Sequence, residues 1–203
     1  MTNQKATGTE SPKVDFFVWQ FEDVPNACVL DELIGVEKTY QITKGIPRAA
    51  TFSGNAAFTM DPDFPNDTLL VDAFETTKKM TVISPRLKTF LQEQTLKNVE
   101  FLPITILNHK KRPAAQYFVL HPIHPVGCLD MKESDVQWDP IDDSRIYKVT
   151  SMVLDVSKMD PEIQLFKIKY FYDFVIVRQD LAEIIKVQNF TGIKWTKLAD
   201  FRR

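Results

Sequence analysis

The sequence predicts an α+β fold: a mixed, mostly antiparallel sheet with few short helices, containing two similar strand-helix-strand units. Segments dense in β-branched and aromatic residues outnumber helical patterns along the chain. The helical patterns that do occur are short. One strand–helix–strand pattern also appears twice in gapless register, 94 positions apart. In it Leu87 aligns with Leu181, Phe90 with Ile184, Leu91 with Ile185, Leu96 with Phe190, Asn98 with Gly192, Val99 with Ile193 and Phe101 with Trp195. These positions are the apolar face of a helix, the residue that ends its turn, and the following strand, so the repeat describes packing and all of these apolar residues are expected to face the core.

Taken in order, residues 14–21 read as a strand. Residues 22–78 carry turn signals at Pro25, Gly45, Pro47, Gly54 and Pro62–Asp67, and read as an irregular lobe with short strands and little helix. Thr81–Ile83 is a buried strand. Ser84-Pro85 then starts a helix, the hydroxyl capping a free amide and the proline lacking the proton that would go unpaired. Asn98 can take the left-handed conformation that ends it. The second copy places Asp180 and Glu183 at capping-box spacing and Gly192 in the role of Asn98. Between the copies, 115–120 and 145–155 read as strands, the latter with Ile146, Val149, Met152 and Leu154 as core candidates. Residues 163–170 alternate apolar and polar, the mark of a half-exposed strand, and residues 171–174 read as a turn into Val175.

The chain has 203 residues, 44% of them hydrophobic with 15 Phe and 3 Trp, enough to bury a real core. Residues 1–12 have no apolar stretch of a secretory signal and read as a disordered tail. Residues 13–78 form an N-terminal lobe packed on a main domain over 79–203. No apolar run approaches the ~20 residues that cross a bilayer. Cys28 and Cys128, far apart, read as reduced thiols of a cytoplasmic protein.

The net charge of −2 gives no general attraction to nucleic acid or membrane. Its distribution is uneven: residues 13–77 hold 11 acids and 4 bases, 78–112 hold 8 bases and 2 acids, and 130–143 hold 6 acids and one Lys. Such blocks suit a solvated mixed surface and suit equally a protein that captures a basic partner. The basic run from His109 to Arg112 has no interleaved aromatics and reads as a solvated turn between strands.

Catalytic signals are sparse. His121, His124 and Cys128 have the spacing of a zinc corner, but a structural site needs a fourth ligand, leaving Cys28, His109 or a carboxylate to supply it. The bland reading is a Pro-rich connection with Cys128 as a small buried apolar residue. Neither Cys128 nor Ser134 lies in a nucleophile elbow, and there is no phosphate loop or dinucleotide fingerprint. No cofactor, metal or catalytic set is therefore expected. A carboxylate-pair enzyme leaves no sequence signature and stays open. Residues 129–143 combine carboxylates with Met131, Trp138 and Ile141. An ordinary exposed loop suits them slightly better than a binding face.

The segment 82–91, followed by Val99–Pro103, Tyr117–Val119, Cys128-Leu129-Asp130 with Ser134, and the closing Phe190–Trp195, resembles a bacterial immunity-protein family of polymorphic toxin systems, typified by a myxobacterial member. The likeness covers about residues 79–196, with 1–78 as a variable front part. It implies fold-defining roles for Ser84, Pro103, Asp130, Ser134 and Gly192, and no catalytic set. It further implies a cytoplasmic, non-enzymatic antidote that binds and neutralises a cognate toxin by direct protein–protein contact. With the acidic blocks, that partner is expected to be basic, with no nucleic acid or membrane involved. The expected toxin-binding residues are Asp135, Trp138, Asp139, Asp142 and Asp143. The competing expectation is a small-molecule-binding or hydrolytic enzyme using the His121–Cys128 loop.

Overall fold

The computed structural model describes residues 14–203; the expected tail over 1–12 lies outside the described residues. In chain order the strands are β1 (Phe16–Phe21), β2 (Leu30–Ile34), β3 (Ala57–Met60), β4 (Ala73–Glu75), β5 (Thr81–Ile83), β6 (Val99–Leu107), β7 (Pro113–Pro122), β8 (Asp135–Trp138), β9 (Ile146–Ser151), β10 (Leu165–Ile168), β11 (Phe171–Arg178) and β12 (Ile193–Lys197). The helices are α1 (Tyr40–Thr43), α2 (Pro85–Glu93) and α3 (Gln179–Lys186). The fold is α+β, and every strand pair is antiparallel except β3 with β6.

The strands form a six-stranded sheet in the order β2-β3-β6-β7-β5-β4, a four-stranded sheet β10-β11-β1-β12, and the hairpin β8-β9. Parallel bridges Leu30–Thr76 and Ala27–Leu69 bring β2 back toward β4, so the larger sheet curls around its own core of Leu30, Phe58, Val82, Leu102, Ile104 and Val119. Strands from before residue 78 pair with later ones in both large sheets: β3 with β6, β4 with β5, and β1 with β11 and β12.

The repeat is a pseudo-twofold. In one unit β5 and β6 flank β7; in the other β11 and β12 flank β1. The registers agree residue for residue. Thr81 and Phe101 both oppose Leu120, as Val175 and Trp195 both oppose Trp19. Ile83 and Pro103 oppose Phe118, as Val177 and Lys197 oppose Phe17. On the far side Ala73 opposes Ile83 as Leu165 opposes Val177. Between the units lies one shared core, built from Leu87 and Leu91 of α2, Leu181 and Ile185 of α3, and Phe17, Trp19, Ile83, Leu120 and Val177. Each sheet's opposite face packs on a private core.

Asn98 (φ 56°) and Gly192 (φ 80°) take the left-handed conformation the sequence suggests, but they turn the chain into β6 and β12 instead of ending the helices; α2 and α3 stop earlier, just before the left-handed residues Thr95 (φ 53°) and Asn189 (φ 51°). The helix starts differ. Ser84 Oγ accepts from the Leu87 amide at 3.1 Å, as expected. Asp180 does not cap α3. The residue before that helix is Arg178, and Asp180 lies inside the first turn, where its carboxylate accepts from Arg178 (2.7 and 2.8 Å) and Gln164 (2.9 Å). An acid there still favours the helix through its dipole.

Three other expectations are corrected. The strand within 163–170 is not half-exposed: β10 is buried on both faces, because its alternate side chains meet two different cores, and Lys167 is only 5% exposed. The turn before β11 is at Tyr170 (φ 71°), so 171–174 already belong to the strand. Ile184, aligned with the half-buried Phe90, is 39% exposed on the outer side of α3.

Candidate functional site

The segment 129–143 folds as the first strand and tip of the β8–β9 hairpin, lying over the private core of the four-stranded sheet through Val136, Ile146 and Val149. Its base is tied by short-range polar bonds. The Asp130 carboxylate accepts from the Lys132 amide (2.9 Å), the Ser134 amide bonds the Asp130 carbonyl (2.9 Å), and Ser134 Oγ exchanges hydrogen bonds with the Val153 backbone (2.9 and 3.2 Å). This is the turn role that Asp and Ser four apart suggest.

At the tip, the carboxylates hold the backbone. Asp139 accepts from the Ile141 and Asp142 amides at 2.9 and 3.2 Å. Asp142 accepts from both the amide and the hydroxyl of Ser144, and these bonds hold its carboxyl below the usual range. Its other oxygen lies 4.0 Å from Lys44 Nζ. Asp135 and Asp143 are exposed. Trp138 packs edge-on against Tyr170, ring centroids 5.4 Å apart, and is still 40% exposed. Ile141 is 96% exposed, and Met131 and Tyr147 are also exposed. Asp135, Trp138, Asp139, Asp142 and Asp143 therefore share one hairpin, whose turn displays apolar side chains among acids.

The hairpin borders a cleft of about 320 Å³ lined by Tyr40, Lys44, Lys78, Lys79, Arg145 and Tyr172, among others. Asp173 forms its floor, with a side chain only 3% exposed. That carboxylate receives Lys79 (2.6 Å), Arg145 (3.0 and 3.1 Å) and Arg203. Burial alone would raise its pKa, but the hydrogen bonds from Lys79 and Arg203 outweigh it and hold the carboxyl below its ordinary value. Lys79 (φ 56°) lies in the turn before β5 and Asp173 within β11, so this ion pair joins the two units. No local pattern in the sequence marks this cluster, which joins residues far apart in the chain.

The His121–Cys128 loop does not assemble a reaction centre. His121 is fully buried, its Nε2 bonded to the Ile46 carbonyl at 2.9 Å, and burial pushes its pKa down. Cys128 is fully buried, and burial pushes its thiol up to about 11, far from a thiolate at neutral pH. His124 is exposed at φ 56°. Among the described residues no three His, Cys, Asp or Glu side chains are grouped closely enough to hold a metal ion. No helix among them is long and apolar enough to cross a membrane.

No curated protein matches the chain. A family model described as "Immunity protein family (Imm11)" matches residues 19–200, a span that takes in most of the variable front part. With both strand–helix–strand units, the second half of β1 and the acidic hairpin inside that match, the chain belongs to the Imm11 immunity protein family.

Proposed function

We propose that this chain is a cytoplasmic antidote that binds a cognate toxin by direct protein–protein contact and neutralises it without catalysis, metal or cofactor. The observation that carries the reading is the tip of the β8–β9 hairpin. Ile141 and Trp138 stand exposed at a turn whose backbone is locked by Asp139 and Asp142. A rigid turn presents these side chains with little ordering cost on binding. An apolar anchor ringed by polar groups is the usual arrangement of an interface hot spot. Asp135, Asp139, Asp142 and Asp143 give the surface a negative field, which fits a basic toxin and speeds encounter. The enzyme reading loses support because His121 and Cys128 are buried, the one engaged to Ile46 and the other with a raised thiol pKa.

The test is co-expression with the toxin encoded beside this gene, scored by growth and co-purification, followed by binding kinetics. Trp138→Ala is expected to fold and to dissociate faster, because an anchor acts after docking. Asp142→Lys with Asp143→Lys is expected to slow association, with the defect shrinking in high salt. Unchanged rates for both variants would move the toxin contact off this hairpin, and the acidic segment 13–77 would be examined next.

A further inference from the structure

The two pseudo-equivalent units end in different ways at one edge, and the difference points to a second interaction surface. The Glu22 amide bonds the Gly192 carbonyl at 3.3 Å, and the equivalent Ile123 amide bonds the Asn98 carbonyl at 2.8 Å. In an antiparallel ladder hydrogen-bonded and non-bonded pairs alternate. With Trp19 opposite Trp195, this fixes which groups of β12 face away from β1: those of Ile193, Trp195 and Lys197. The same rule in β6 turns Phe101, Pro103 and Thr105 outward, and the Thr105 amide does bond outward, to the Ala56 carbonyl at 2.9 Å.

In the first unit that edge is occupied. β3 pairs along 105–107, Pro103 has no N–H to offer, and Glu100 holds the amides of Arg48 and Ala49 against the strand at 2.8 and 3.0 Å. In the second unit β12 ends its sheet, and among the described residues the outward amides of Ile193, Trp195 and Lys197 have no partner. Beside it lies a groove of about 170 Å³ between α3 and β12, lined by Ile185, Phe190, Ile193 and Trp195 with Lys186 and Asn189. Lys194 and Lys197 are exposed and enter no ion pair among the described residues; Lys186 pairs with Glu183 at 3.1 Å.

We infer that the β12 edge accepts an extended segment of a partner protein, alternately apolar and acidic, as an added strand. Main-chain bonds to Ile193, Trp195 and Lys197 hold it. Its apolar side chains enter the groove beside Ile193 and Trp195, while its acids lie on the other face, beside Lys194. A second copy of this chain is a poor occupant, because pairing β12 with itself would bring lysines together. This surface is distinct from the acidic hairpin and does not depend on it.

The probe is a synthetic peptide, acetyl-Asp-Val-Glu-Ile-Glu-Val-Asp-amide, titrated into the isotope-labelled protein and followed by amide NMR. Shifts and slowed hydrogen exchange are expected at Ile193, Trp195 and Lys197. Lysine in place of the peptide's acids should weaken binding at least about tenfold, and Lys194→Glu should reverse that preference. Absence of shifts at millimolar peptide, equal binding of both peptides, or shifts on the hairpin instead would each overturn the inference. So would concentration-dependent dimerisation that protects the same amides without peptide.

Discussion

In the first unit the strand between β5 and β6 is β7, supplied by the hairpin that directly follows β6; in the second the same place is taken by β1, from the other end of the chain. The cross-strand registers are nonetheless the same. The difference teaches that the unit is specified by its strand–helix–strand half, while the middle strand need only present the right alternation. Leu120 and Trp19, or Phe118 and Phe17, fill the shared core from unrelated sequence contexts. Polar chemistry diverges more freely. Where Arg86 meets Asp72 in one unit, Asp180 meets Gln164 at the equivalent pair of positions in the other, at 2.9 Å in both.

If the two helices are equivalent, truncation should hurt both alike. Leu91→Ala and Ile185→Ala are each expected to cost about 2–5 kcal/mol, read from denaturant unfolding, because each residue is buried in the shared core and leaves a cavity. A near-neutral result at one position would break the equivalence.

Across the axis, Asp173→Asn is expected to cost about 2–3 kcal/mol at neutral pH, since it leaves Lys79, Arg145 and Arg203 without their carboxylate while each stays about a third exposed. The carboxyl is held below its ordinary value when folded, so its contribution is full above pH 3.8 and is lost as pH falls toward the folded value. The gap between wild type and variant should therefore close in acid.

The paired left-handed turns before β6 and β12 should respond unequally. A Cβ on Gly192 would lie 2.3 Å from the Ala73 carbonyl oxygen, whereas Asn98 already holds its left-handed position with a side chain. Gly192→Asn is expected to lower stability by about 2 kcal/mol, and Asn98→Gly to change it by less than about 1 kcal/mol. Similar thermal shifts for both would show that β4 does not press on this turn.

The smallest effect concerns Lys167, whose ammonium donates to the Thr43 carbonyl at 2.9 Å and whose pKa burial pushes down to about 8. Lys167→Met should raise stability at pH 7 by about 1 kcal/mol by removing a buried charge. In the wild type the unfolded chain binds the extra proton between pH 8 and 10.5, so its stability rises with pH there. The advantage of the methionine variant should disappear across that window.

Much of this arrangement was legible before any coordinates. The fold class, the first helix cap at Ser84, the left-handed turns at Asn98 and Gly192, and the buried pairs Leu87–Leu181 and Leu91–Ile185 follow from local rules of period and turn chemistry. The acidic hairpin could be named from composition, because Asp139 and Asp142 act on residues two or three positions away. Local sequence decides what neighbours along the chain decide.

Tertiary structure settled the rest, for one physical reason: these features join residues far apart in the chain. Nothing near Lys167 announces that both faces of its strand meet a core, so alternation misread it as half-exposed. Nothing near Asp180 announces that Gln164, 16 positions away, would share its carboxylate with Arg178. The place of β1 between β11 and β12, the Asp173 cluster and the open edge of β12 exist only once those strands pair, because a ladder's register and its unused edge are properties of the partners and not of either strand alone.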